Sequence, residues 1–340
     1  MYNIAVIGGG VIGVTSAIQI QKDVPTAKVT IFAEKLSPNT TGDISAGLWM
    51  PFLLQQTPAS DIMKWSKVTH DCLEKLWREG LAEKVGICLQ TVLRLYAAEN
   101  TAIPDWANVP YGFCMMSSKT VNTLSKQHGK KYRAASHFVT YTVEPTKMLP
   151  YLIQEFLSKG GNLVQKKVEN FNELCDYDVI VNCAGLAARN LTLDKDIHAI
   201  RGQVCRVKAP WQFTIMSDES EDGNYIIPNT SDVVLGGTHQ DDNENLSVNP
   251  DDKAFILDGC KQIVPGLKTI TEYNDGVGLR PGRSKVRIEA EKIFSEGKTL
   301  SVVHNYGHGG AGVTLCFGCA IDASNLVKQT LGISQLRSHL

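Results

Sequence analysis

Gly8, Gly10 and Gly13 fit the pattern G-x-G-x-x-G, and an acid, Glu34, follows 21 residues after the last of them. This set has the makings of a dinucleotide site. Gly8 permits a tight turn, Gly10 lets a pyrophosphate approach the main chain, and Gly13 lets a helix sit close to a strand. The free amides and positive end of that helix attract phosphate. A carboxylate about 20 residues on accepts hydrogen bonds from a ribose diol. An acid there disfavours a 2′-phosphate and therefore NADP, and leaves FAD and NAD open. Two other spacings carry possible chemistry. His304 and His308 stand four apart, but with a glycine between them and no nearby cysteine or acid in the sequence they read as a turn rather than a metal site. Cys316 and Cys319 match C-x-x-C, but they fall inside an expected helix rather than before it, so packing is expected and not dithiol redox chemistry.

The elements that must hold the glycines are legible around them. Ile4 to Ile7 is a short apolar run that reads as a buried parallel strand. A helix follows with Val11, Ile12, Val14, Ala17 and Ile18 available for packing, then a strand over Lys28 to Phe32. Small residues at Ser45 to Leu48 would let main chain approach a ligand. A helical period runs from about Pro58 to Arg78 and places Trp65 in the core. Strands are expected over Gln90 to Ala97, His137 to Thr142, Leu163 to Val168, Asp178 to Gly185, Arg201 to Lys208 and Val233 to Thr238, with a polar loop over Ser217 to Asn224. A helix is expected over Met148 to Lys159. A strand over Leu300 to Val303 leads through a glycine-rich turn into a helix reaching about Leu331, a second helix start able to offer amides to an electron-rich group.

The expected fold is α/β, a Rossmann-like cofactor-binding domain (residues 1–50, 145–189 and 274–340) interleaved with a mainly β substrate-binding domain (51–144 and 190–273). A chain of 340 residues can bury a large core, and 43% hydrophobic with 20% charged residues describes an ordinary globular protein. A net charge of −1 gives no basic excess to recruit nucleic acid or an anionic membrane, and no apolar run is long enough to span a bilayer. The first strand starts at Ile4, which leaves no room for a signal peptide. Nine scattered cysteines, an odd number, suit a reducing compartment and free thiols. The sequons at Asn39, Asn190, Asn229 and Asn245 therefore carry no weight.

Taken together these stretches resemble the D-amino-acid oxidase and D-aspartate oxidase family of flavoproteins. The resemblance spans nearly the whole chain. It rests on Ile7 to Gly13, Thr40-Thr41 with Ala46-Gly47-Leu48-Trp49, Val181 to Gly185, Gly278-Leu279-Arg280-Pro281, and His304-Asn305-Tyr306-Gly307-His308-Gly309-Gly310. Arg201-Gly202-Gln203 and Tyr225-Ile226-Ile227-Pro228 add to it. It implies FAD rather than NAD, held by Gly8, Gly10, Val11, Ile12, Gly13, Glu34, Lys35, Thr40, Thr41, Ala46, Gly47, Leu48 and Val168, and by Gly309, Gly310, Gly312, Val313 and Thr314 around the second helix start. It also implies a carboxylate clamp. Arg280 would take the substrate's α-carboxylate in a bidentate pair, Tyr225 would donate its hydroxyl to it, and the carbonyl of Gly310 would hold the amine. The Cα–H would then pass to the flavin as hydride, with no side-chain base required. The implied products are a 2-oxo acid, ammonia and, from oxygen, hydrogen peroxide. Without the resemblance, Arg280 reads as a surface ion-pairing residue and Tyr225 as a core aromatic.

Two departures bear on the substrate. Neutral-substrate members carry a lid tyrosine four residues before the position of Tyr225, where this chain has Glu221. The D-aspartate oxidases also lack that tyrosine, but place an arginine after the Gly-Gly-Thr of the next strand; here His239 follows Gly236-Gly237-Thr238. A histidine can donate to a carboxylate, in a weaker and more pH-sensitive contact than a guanidinium. Phe52 stands where a tyrosine often lines the neutral pocket. The expectation is an FAD-dependent oxidase leaning to D-aspartate and D-glutamate, with His239 in the site. An oxidase of neutral D-amino acids is the alternative, and a non-catalytic flavin- or nucleotide-binding protein the reading from a different class. The chain ends Ser338-His339-Leu340, similar to the Ser-Lys-Leu peroxisomal address, so an import receptor and a peroxisomal location are expected, with a cytoplasmic one otherwise.

Overall fold

The computed structural model describes residues 1–98, 101–220 and 223–333, so Glu221 and the Ser338-His339-Leu340 tail lie outside the described residues. Along the chain it sets out β1 (Tyr2–Ile7), α1 (Val11–Asp23), β2 (Ala27–Ala33), α2 (Thr41–Ile44), α3 (Ala59–Arg78), α4 (Ala82–Val85) and β3 (Ile87–Tyr96). Next come β4 (Tyr111–Met115), α5 (Ser118–His128), β5 (Ala134–Val143), α6 (Pro145–Ser158), β6 (Asn162–Gln165), β7 (Val179–Asn182), α7 (Ala188–Thr192) and β8 (His198–Val207). The remainder is β9 (Ile215–Asp218), β10 (Tyr225–Pro228), β11 (Val233–Gly236), β12 (Gln240–Asp241), α8 (Pro250–Ile263), β13 (Asn274–Gly282), β14 (Arg287–Ser295), β15 (Lys298–Tyr306) and α9 (Gly312–Thr330).

These strands make two sheets. The first has the order β14-β15-β7-β1-β2-β6, parallel except for β14, which returns antiparallel on β15. Ile4, Ala5 and Val6 are fully buried, as the uninterrupted apolar run requires of a central parallel strand covered on both faces. Because β1, β2, β7 and β15 all run the same way, their C-terminal ends share one edge. The turns after them, at Gly8, Glu34, Cys183 and Gly307, therefore converge there. Helices α1 and α9 pack side by side behind that edge, where Thr15 Oγ1 lies 3.2 Å from Cys316 O. Helix α3 crosses α9 closely enough that a Cβ on Gly318 would lie 2.3 Å from Trp65 Cα. Trp65 is a core residue, and its indole donates to Asp322 of α9 at 2.7 Å.

The second sheet runs β12-β8-β11-β10-β9-β3-β5-β4, with β13 also on β8. Here the structure departs from the sequence boundary. A cut before Asn274 assigned β13 to the cofactor half, yet it pairs antiparallel with β8 over its whole length, Asn274↔Arg206 to Gly282↔His198. A strand's partner is a long-range choice that its own residues do not encode. The strand expected through Val168 also stops early, at Gln165; Val168 is buried with Ala5, Ile7, Phe32 and Phe171, so its side chain serves the core. The strand expected over Leu300 to Val303 instead runs on to Tyr306 and carries His304 and Asn305 within it. Among the described residues no helix is long and apolar enough to cross a membrane.

Candidate active site

At the shared edge of the first sheet the glycines do what their spacing requires. Gly8 has φ +122°, and a Cβ there would lie 2.4 Å from Cys183 O. A Cβ on Gly13 would lie 2.0 Å from Gly8 O, so only glycine lets α1 approach the turn this closely. Around Gly10, by contrast, the space is open. Gly10 is the N-cap of α1 and provides no side-chain cap, and the first turn, with Val11 and Ile12, carries no acid. Those amides are left for an anion. Glu34 is exposed just past β2, and Gly9 packs against Ala33 and the carbonyl of Lys35, which fixes the acid beside the turn.

Helix α9 repeats the arrangement. Its N-cap Ala311 has no side-chain cap and its first turn has no acid, and Gly312 lies opposite Val11 across the two helix starts. Between them runs a strap over residues 40–50. Thr40 caps α2 in a reciprocal box with Asp43: the Thr40 amide and hydroxyl donate to Asp43 Oδ2 at 2.8 and 2.7 Å. That commits the Thr40 hydroxyl to the protein, while Thr41 is exposed. Gly47 has φ +68° and sits so close to β5 that a Cβ would lie 1.7 Å from Val143 O. Thr314, one residue past Val313 on α9, places its Oγ1 3.1 Å from Met50 O and 3.4 Å from Leu48 O, tying the strap to the helix. Ala46 and Gly47 are buried, and their amides and that of Leu48 meet no acceptor among the described residues. Buried amides are paired in native proteins, so this row calls for a ligand acceptor.

The second sheet faces the strap with a floor of glycines. Gly202 and Gly278 are opposite each other on β8 and β13, and Gly236 is opposite Tyr225 on β11 and β10. The Arg280 guanidinium lies over Gly202, where a Cβ would come within 2.4 Å of both terminal nitrogens. The Tyr225 ring lies over Gly236, with its hydroxyl against Gly237. Arg280 is half-buried and donates from Nη1 to Thr238 O at 3.1 Å; among the described residues no carboxylate pairs with it. Burial pushes the Tyr225 hydroxyl above its usual value, while the neighbouring Arg280 charge pulls the other way. The hydroxyl therefore keeps its proton and remains a donor. A guanidinium and a phenol hydroxyl thus stand side by side, and the glycines beneath them, unassigned by the sequence reading, make the room. A glycine inside a strand is the signal that could have found them.

The glycine-rich turn closes the site. The Gly309 amide donates to Pro281 O at 2.9 Å, one residue from Arg280. Gly309 has φ +52°, and a Cβ would lie 2.2 Å from Leu53 O; at Gly310 it would lie 2.6 Å from the Phe52 ring. Phe52 in turn meets exposed His239 edge to face, with ring centroids 6.5 Å apart. Gly310, Phe52, His239, Arg280 and Tyr225 are therefore gathered at one place. The loop ahead of Tyr225 is anchored by Arg94 to Glu219 (3.0 and 2.8 Å) and by Lys130 to Asp218 (2.6 Å).

His304 is in β15 rather than a turn, and an acid does stand beside it, since Glu291 of the adjacent β14 approaches Nε2 at 3.0 Å. No group of three or more histidines, cysteines and acids able to hold a metal is found among the described residues. Cys316 and Cys319 are buried within α9, and burial raises both thiols far above their usual range, which suits packing. His308, in the turn, is buried with Nε2 unpaired, and burial lowers it to about 3. Its folded value lies below the unfolded one near 6.5, so the folded chain keeps it neutral while the unfolded chain protonates. Its stabilising contribution is present above that pH and is lost as pH falls. We expect a loss of about 2 kcal/mol between pH 8 and pH 5 from this group. Urea midpoints at the two pH values check it: His308→Asn should flatten the dependence, and an unchanged slope would contradict the assignment.

Two adjacent helix starts, a glycine fingerprint and a row of free amides, with an arginine and a tyrosine over strand glycines, make a dinucleotide site beside a place for an anionic substrate. The chain belongs to the FAD-dependent oxidoreductase family, whose model matches residues 3–326. FAD is therefore the cofactor, and the NAD and NADP readings fall away. The chain is 37% identical to a D-amino acid oxidase of Dugesia ryukyuensis, over 97% of this chain and 98% of that one. It is 35% identical to the D-aspartate oxidase of Homo sapiens, over 96% and 94%. Its fold matches the glycine oxidase of Geobacillus kaustophilus with a TM-score of 0.76 at 16% identity, covering 99% of each chain.

Proposed function

We propose that this FAD-dependent oxidase deaminates acidic D-amino acids, D-aspartate and D-glutamate, to 2-oxo acids, ammonia and hydrogen peroxide. The reading is carried by the Arg280 guanidinium, which meets no carboxylate among the described residues, beside the Tyr225 hydroxyl, with His239 within reach of the same cluster through Phe52. The Arg280 fork takes the α-carboxylate and Tyr225 donates to it. The Gly310 carbonyl accepts from the amine. With carboxylate and amine both held, Cα has one orientation, and the face it presents sets the preference for one enantiomer. FAD, when bound, supplies the two-electron oxidation chemistry and hands the electrons to oxygen. Residues 1–50 with the first sheet's later elements form the cofactor-binding half, and the second sheet, including β13, forms the substrate-binding half.

The acidic lean rests on His239, whose imidazole can donate to a side-chain carboxylate, and on relatives named D-aspartate oxidase. We expect His239→Ala to raise KM for D-aspartate about tenfold and to leave that for D-alanine within about twofold. Equal changes in both would remove His239 from substrate selection. A second reading, neutral D-amino acids, is favoured by the part-exposed apolar ring of Phe52 against Gly310 and by a relative named D-amino acid oxidase. A higher kcat/KM on D-alanine than on D-aspartate would select it. The peroxide product and the Ser338-His339-Leu340 ending together support a peroxisomal enzyme carried by an import receptor. Deleting those three residues should leave a fluorescently tagged chain in the cytosol, and import of the truncated chain would contradict the address.

A further inference from the structure

The strap that offers its amides to FAD is held from its opposite side by two residues of the other sheet. Arg206 of β8 donates from Nη2 towards three consecutive carbonyls, Asp43 O at 3.2 Å, Ile44 O at 3.4 Å and Ser45 O at 2.9 Å. Asn229, in the turn between β10 and β11, donates from Nδ2 to the next carbonyl, Ala46 O, at 3.0 Å. Nη1 of Arg206 is fixed by Asp232 of the same turn at 2.9 Å, so the fork cannot swing away without breaking an ion pair. Four successive carbonyls are thus drawn to one side. In a planar trans peptide the N–H points opposite to the preceding C=O. Holding Ser45 O therefore turns the Ala46 amide away from Arg206, and holding Ala46 O turns the Gly47 amide away from Asn229. Those are two of the buried amides that meet no acceptor among the described residues. Ile44, packed on Gly276 and Gly278 of β13, keeps the strap pressed against the same sheet.

We infer that Arg206 and Asn229 are positioning residues for the cofactor: by gripping carbonyls 43–46 they orient the Ala46 and Gly47 amides that receive FAD, and so couple the substrate sheet to flavin binding. A lysine at 206 keeps the charge but has one nitrogen, which cannot stand against Asp232 and against the strap carbonyls at once, as Nη1 and Nη2 of the arginine do. The fork, rather than the charge, is what the strap requires.

The test uses holoenzyme of the wild type, Arg206→Lys, Arg206→Met and Asn229→Ala. FAD released on serial dilution is read by free-flavin fluorescence, the visible flavin absorption band is recorded with FAD in excess, and unfolding is followed by tryptophan fluorescence. Both Arg206 variants are expected to weaken FAD roughly tenfold, and Asn229→Ala roughly threefold, each with a shifted flavin band. With FAD saturating, Arg206→Lys should lose no more stability in urea than tenfold weaker binding accounts for, about 1.4 kcal/mol, because the ion pair survives. Wild-type FAD affinity and spectrum in Arg206→Lys would overturn the inference. So would weakened binding that comes with an unshifted band and a loss of stability larger than the weaker binding accounts for, since that is the signature of a structural role alone. Asn229→Ala leaves Arg206 untouched, so it decides the matter should either arginine variant fold poorly; wild-type affinity and band in it would then overturn the inference.

Discussion

Arg280→Ala is expected to lower kcat/KM on every D-amino acid by about 100-fold or more, with FAD binding unchanged. The guanidinium is half-buried, its one main-chain bond is to Thr238 O, and among the described residues no acid pairs with it. A bidentate charge-assisted pair lost from such a place is worth about 3 kcal/mol, which converts to the stated factor. Steady-state oxygen uptake across a substrate series measures it, and turnover comparable to wild type would remove the carboxylate clamp. Lysine will not rescue the loss, because one ammonium cannot reproduce the planar fork. Gly202→Ala gives the same defect by another route. Its Cβ would stand 2.4 Å from the guanidinium nitrogens, and the far end of a flexible side chain yields more readily than the strand does. That variant should fold, bind FAD and show a raised KM.

The second large effect is expected at the first turn. Gly13→Ala places a methyl 2.0 Å from the carbonyl of Gly8, which is main chain and cannot step aside locally. Helix α1 must move off β1, and its free amides move with it. We expect the purified variant to carry no flavin and to show no oxidase activity. Absorbance of the purified protein reads this directly, and a wild-type flavin spectrum would contradict the close packing described here.

The local features of this site were legible in the sequence, and its assembly was not. Gly8, Gly10 and Gly13 act through their own backbone and nearest neighbours, so their spacing, with the flanking strands, the helix and Glu34, carried the dinucleotide reading. Helix α3 and its buried Trp65 followed from periodicity for the same reason. Arg280 and Tyr225 look like any arginine and tyrosine on strands until Gly202 and Gly236 are known to lie beneath them, and that depends on the pairing of β8 with β13 and of β10 with β11. Only a family resemblance singled them out beforehand. The placement of β13 in the second sheet and of Glu291 beside His304 escaped for one reason: both are contacts between strands, set by tertiary packing rather than by local pattern. Thr40 was expected at the cofactor, and its hydroxyl turned out to serve Asp43, a capping role that the Thr-Thr-Gly-Asp order could have suggested.

Arg280, Tyr225 and Gly310 are expected to present the Cα of a D-amino acid to FAD. Oxygen uptake by the FAD-loaded protein with D-aspartate, D-glutamate, D-alanine, D-methionine and the four L-forms tests it most directly. Uptake is expected with the D-forms, strongest with the two acidic ones, and none with the L-forms. Uptake with the L-forms, or with none of the eight, would contradict it.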